Sequence, residues 1–173
     1  MIRFVSFLLA ITFFVSYTPM QSKNTGSIPC STKEYNQFDF WLREWNVFDT
    51  KNNLIGTNKI VKMPNACTLQ ENWKSKTSPS KGTSYNYYDA SDDSWNQLWI
   101  DNVGGILKLK GKYNIRKMIL KSDLVKSKDG VYYNQITWFD NSDGTVTQLW
   151  ELLNENHTVF NELFRGTYKK IIK

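Results

Sequence analysis

The chain is poor in the residues that most enzymes use. His157 is the only histidine in 173 residues, and it sits in a polar stretch, Asn154 to Thr158, that reads as a turn. Nucleophilic catalysis of the Ser-His or Cys-His kind needs a histidine beside the nucleophile. A haem site needs an axial ligand, and His157 is the only histidine that would serve. One turn histidine therefore argues against both, and the same count leaves no histidine cluster for a metal. Glycine-rich phosphate loops and dinucleotide fingerprints are missing, and Gly104-Gly105 reads as a hairpin turn. No cofactor is expected. Cations outnumber acids, 22 to 16, for a net charge of +6. The lysines are scattered, at Lys33, Lys51, Lys62, Lys74, Lys108 and Lys121 among others, with no arginine-rich run and no basic helix. That pattern is a solvated surface and gives nucleic-acid binding no support.

No apolar run is long enough for a relaxed bilayer span, which takes about 20 residues. The longest, Phe4 to Val15, follows the single cation Arg3 and precedes small and polar residues from Ser16 to Ser22. This is the pattern of a secretory signal peptide over residues 1–22, so the chain is expected to be exported, periplasmic or secreted, with no stable membrane span after removal. An uncleaved anchor is the alternative. Only two cysteines occur, Cys30 and Cys67. In an exported chain an even count suggests a disulfide, and a loop of that length would stabilise the fold by about 4 kcal/mol in the chain-entropy model. Two unpaired thiols are the other possibility.

What is abundant is aromatic residues and turn punctuation. Phe38 to Thr50, FDFWLREWNVFDT, carries five aromatics and reads as a plug followed by a first strand. Residues 23–30 form a polar lead, and Ser31-Thr32-Lys33-Glu34 fits a capping box for a short helix over 32–42. Ten strands are expected after it, at 44–50, 54–63, 66–74, 82–90, 95–102, 106–111, 116–126, 131–140, 145–153 and 158–171. The gaps hold Asp-Gly, Gly-Gly and Pro-Asn turns. With no room for crossover helices, this is an antiparallel meander, and so long a sheet tends to close so as to remove its edges. The fold class is all-β, a barrel forming one domain over residues 31–173.

Alternation assigns the faces. Cys67, Leu69, Glu71 and Trp73 share an inner face against polar Thr68, Gln70, Asn72 and Lys74. Ser84, Asn86 and Tyr88 alternate with Tyr85 and Tyr87. Trp95, Gln97, Trp99 and Asp101 oppose Leu98 and Ile100, and Val146, Gln148, Trp150 and Leu152 oppose Thr147, Leu149 and Glu151. Met118 and Leu120 add apolar wall. Indoles interleaved with carboxamides are an uneconomical dry core, because an unpaired buried amide costs roughly 1–3 kcal/mol. Small-molecule pockets are built from such mixtures. The expected ligand-binding residues are Glu71, Trp73, Asn86, Tyr88, Gln97, Trp99, Asp101, Met118, Gln148 and Trp150. The competing arrangement is a filled barrel whose polar groups satisfy one another, with an exposed patch near Tyr85, Tyr87, Leu98 and Ile100. A third reading uses Glu71 and Asp101 as a carboxylate pair in acid–base catalysis.

The segments FDFWLREWNV, CTLQENW, GTSYNYYD, WNQLWID, ITWF, DGTVTQLWE and LFRGTYKK follow in order from Cys30 to Lys170. Together they resemble a family of exported bacterial proteins, uncharacterised in function, that open on an FDFWxGEWDV motif and are similar to the calycins, the lipocalin and fatty-acid-binding barrels. The resemblance implies a plug in which Trp41 and Trp45 close one barrel end. It also implies a basic residue from the last strand, Arg165 or Lys169, over the face of Trp45. Arg43 stands where the motif has glycine. The resemblance supplies no catalytic residue.

Overall fold

A computed structural model of the chain describes residues 28–128 and 130–171. The expected signal peptide, 1–22, and most of the lead that follows lie outside the described residues. Among the described residues eleven strands form one sheet in which every pairing is antiparallel. They are β1 Arg43–Phe48, β2 Leu54–Lys62, β3 Thr68–Ser75, β4 Lys81–Asp89, β5 Ser94–Asp101, β6 Ile106–Tyr113, β7 Lys117–Lys121, β8 Val125–Ser127, β9 Gly130–Asp140, β10 Val146–Leu153 and β11 Val159–Lys170. Each pairs with its neighbour around a ring, and β11 returns to β1 through Trp45 opposite Lys170 and Phe48 opposite Thr167. β7 and β8 lie along the same edge of β9, so the closed ring has ten positions. The expected strand over 116–126 is thus split. Its break falls at Ser122, whose hydroxyl donates to the Asp123 carbonyl and accepts the Asn134 N–H.

The short N-terminal helix is present as two 3-10 turns, Lys33–Asn36 and Asp39–Trp41, not as one α-helix. The capping box does not form. Ser31 Oγ donates to the Ile28 carbonyl, and Thr32 Oγ1 is taken by the Glu34 carboxylate. Tertiary contacts hold the segment instead. Lys62 Nζ reaches Asn36 Oδ1 at 2.7 Å and both Asp39 oxygens at 2.9 Å, and Trp95 Nε1 donates to Gln37 Oε1. A disulfide ties Cys30 to Cys67 beside the β2–β3 turn.

This segment closes one end of the barrel. Phe38, Trp41 and Trp45 are fully buried, with Phe38 stacked on Trp41 at 4.9 Å and edge-on to Trp95 and Trp138. Met118, Leu120, Leu69, Ile60, Val146 and Tyr168 complete the core above it. Chain direction then sorts the hairpins. The turns after β2, β4, β6 and β9 lie at the plugged end, and those after β1, β3, β5 and β10 lie at the opposite mouth.

Candidate functional site

The half of the barrel away from the plug is hollow. A cavity of about 450 Å³ opens at the mouth. Its wall carries Trp73, Trp99, Trp150 and Phe164, with Ile55, Leu107, Ile136 and Leu163 between them. Glu71, Gln97, Gln148 and Tyr168 lie toward its base, and Asp101 with the serines of the β3–β4 hairpin form the rim.

Two glycines set the position of the indoles. A Cβ added at Gly56 on β2 would fall 2.2 Å from the Trp73 ring. One at Gly82 on β4 would fall 2.3 Å from Trp99. Each indole therefore lies flat against a neighbouring strand where a side chain would have stood, which leaves the barrel centre open. Phe164 meets Trp73 edge-on at 6.1 Å, and Trp150 is fixed by its Nε1 donating to Asn134 Oδ1 at 2.9 Å.

The base is a hydrogen-bonded network centred on Glu71. Asn58 Nδ2 donates to Glu71 Oε1 at 2.7 Å, and Ser84 Oγ donates to Oε2 at 2.6 Å. Asn86 Nδ2 donates to Ser84 Oγ, and Gln97 Nε2 donates to Asn86 Oδ1. On the far side the Tyr168 hydroxyl donates to Gln148 Oε1 and lies 3.4 Å from Asn58 Nδ2. Asn58 Oδ1 is buried and has no hydrogen-bond partner among the described residues. Burial pushes the Glu71 carboxyl up to about 7, against the lowering effect of the Ser84 and Asn58 hydrogen bonds. Burial, with the Glu71 charge nearby, likewise raises Tyr168 well above an ordinary phenol.

Of the residues expected at a ligand, Glu71, Trp73, Gln97, Trp99, Asp101, Gln148 and Trp150 line the cavity. Asn86, Tyr88 and Met118 do not. Asn86 is wholly buried one rung below, as the link between Ser84 and Gln97. Tyr88 belongs to the plugged end, edge-on to Tyr35 at 5.1 Å with its hydroxyl on Asp93. Met118 is core. Glu71 and Asp101 do not pair. Asp101 Oδ1 accepts the Val103 and Gly105 N–H groups and shapes the β5–β6 turn.

The plug also differs from expectation in one respect. Trp41 and Trp45 are in place, and Trp45 Nε1 donates to the Trp41 carbonyl. The cation over Trp45 is Arg43, at 5.2 Å from the ring centroid, not a residue of the last strand. Arg165 is held in an exposed ion pair with Glu162, and Lys169 lies over Phe48. His157 is an exposed turn residue whose N–H closes on the Asn154 carbonyl.

Asn58, Ser84, Phe164 and Tyr168 are the important residues that the expected site omits. Alternation groups Ser84 with Asn86, and it would have found the others. Asn58 shares the face of buried Ile60, and Phe164, Gly166 and Tyr168 form one period-2 set on β11. Among the described residues no helix is long and apolar enough to cross a membrane, and no group of His, Cys, Asp and Glu is placed to hold a metal. No protein-family model matches the chain, and no curated protein does.

Proposed function

We propose that this barrel takes up a small molecule with an apolar or aromatic body, and that it does so outside the cytoplasm. The observation that carries the reading is the cavity itself. Its volume of about 450 Å³ falls within the roughly 300–1,000 Å³ of ordinary ligand pockets, which combine mostly apolar walls with a few polar groups. The division of the barrel supports it. The polar network and the packed core fill the plugged half, so the filled-barrel alternative describes that half alone. In the mouth half four aromatic rings face open space.

Two amides at the base are half-used. Gln97 commits Nε2 to the network and Gln148 commits Oε1. Gln97 Oε1 and Gln148 Nε2 make no hydrogen bond among the described residues. A guest that offers a complement to either would be oriented by it. The disulfide, the apolar N-terminal run and the motif resemblance support export and a place among exported bacterial proteins similar to calycins.

Native mass spectrometry of freshly secreted protein, followed by tryptophan-fluorescence titration with the released compound, tests the reading. The expected result is a bound mass and a fluorescence change that Trp99→Ala reduces while far-UV circular dichroism stays the same. No bound mass, together with no fluorescence response to a panel of aromatic and aliphatic compounds, would overturn it.

A further inference from the structure

The charge inside the cavity runs opposite to that of the chain. The protein has 22 Lys and Arg against 16 Asp and Glu, yet among the described residues no lysine or arginine lines the cavity, and the acids there are the carboxyls of Glu71 and Asp101. Among the described residues Tyr168 is the one other titratable group on the lining. The wall above Glu71 is built from the side chain most attractive to cations. Trp73, Trp99 and Trp150 present three indoles, and a cation over an indole face gains most when both are removed from water. Gln97, only 4% exposed, leaves Oε1 there as an acceptor with no partner among the described residues.

We infer that the ligand of this cavity carries an amine. Its ammonium group would be accepted by Glu71 and Gln97, with the indoles around its apolar body. The inference rests on the ligand-binding reading above and narrows it. The energetic argument turns on when the carboxylate loses its water. Glu71 is buried by folding, with two hydrogen bonds from Asn58 and Ser84 holding its oxygens. A cation reaching it gains Coulombic attraction without a second desolvation of the acid, and this removes much of what makes new buried ion pairs unfavourable. In alkaline buffer an anionic ligand would meet the Glu71 and Asp101 carboxylates and no countercharge among the described residues. A neutral acceptor could be met by Gln148 Nε2 or by the protonated acid, but it would gain no Coulombic attraction from the carboxylate.

Isothermal titration of the intact, disulfide-bonded protein with three 3-substituted indoles of different charge tests this in mildly alkaline buffer. The probes are tryptamine, neutral 3-ethylindole and anionic indole-3-propionate. The inference predicts that tryptamine binds at least about tenfold more tightly than 3-ethylindole, the size expected of one desolvated cation contact, and that indole-3-propionate binds weakest. Glu71→Gln, nearly isosteric, should erase the advantage of tryptamine over 3-ethylindole. If 3-ethylindole or indole-3-propionate binds as well as tryptamine, the amine inference fails and the cavity reading stands. If none of the three binds, and the fluorescence panel is also silent, the cavity reading fails with it.

Discussion

Arg43 places its guanidinium over the ring of Trp45, 5.2 Å from the centroid, and does so from a backbone φ of 139°. That conformation suits glycine and strains any residue with a Cβ. The strained position and the cation over the plug tryptophan thus belong to one residue, in the place where the resembling motif carries glycine.

A pair of substitutions separates the two effects. Arg43→Ala and Arg43→Gly both remove the guanidinium, but only glycine relieves the backbone. In most strand positions alanine is the more stable of the two by about 0.5–1 kcal/mol. Here we expect the reverse, with Arg43→Gly more stable than Arg43→Ala by about 1 kcal/mol in urea unfolding.

Glu71 should make stability fall as pH rises. Its carboxyl is pushed up to about 7 in the folded protein, from an ordinary 4.5 when unfolded. Below both values the acid is protonated in either state and costs nothing. Between them the folded state holds the extra proton, so stability declines with pH and levels off above about 7. The full difference is roughly 3 kcal/mol. Glu71→Gln should remove this slope, and Asn58 Oδ1, unpartnered in the native network, is available to receive the new amide. Urea midpoints across that pH range for both proteins provide the check. A native slope unchanged in the variant would assign the titration elsewhere.

The shelf under Trp73 predicts a way to close the cavity without touching a polar group. The three nearest neighbours of a Cβ at Gly56 are all atoms of the Trp73 ring. Gly56→Ala should therefore push the indole toward the centre of the barrel, at a stability cost of roughly 1–3 kcal/mol. Ligand affinity should fall with it. Normal affinity in a folded Gly56→Ala protein would show that the indole has another place to go.

The disulfide links residues 37 apart in sequence and fastens the plug segment to the β2–β3 turn. Replacing both cysteines with serine should cost about 4 kcal/mol on the chain-entropy account. The loss should appear first as hydrogen exchange at Phe38 and Trp41, ahead of the strands around the cavity.

Alternation told inside from outside because strand side chains repeat every two residues, and it did so for Glu71, Trp73, Gln97 and Trp99. It did not tell depth. Met118 and Asn86 point inward as expected but lie level with the core and the base network. Tyr88 lies lower still, against the plug segment. Height along the barrel axis depends on register and on where the plug stops, and neither is a local property of a strand. The short helix takes the 3-10 form for a related reason. Lys62, Trp95 and the disulfide hold residues 30–42 through tertiary contacts that override the local capping signal. Arg43 was hidden because a sequence reveals the missing glycine but not that the backbone keeps the glycine conformation.

The seven indole N–H groups offer the most direct test of a half-hollow barrel. Trp73, Trp99 and Trp150 line the cavity, while Trp41, Trp45, Trp95 and Trp138 are buried in the plug and core. In a nitrogen–proton correlation spectrum titrated with tryptamine, or with any compound recovered from the secreted protein, the first three signals should move and the other four should hold still. Movement confined to the plug and core tryptophans, or no movement of the three cavity signals with a compound shown to bind, would contradict the account.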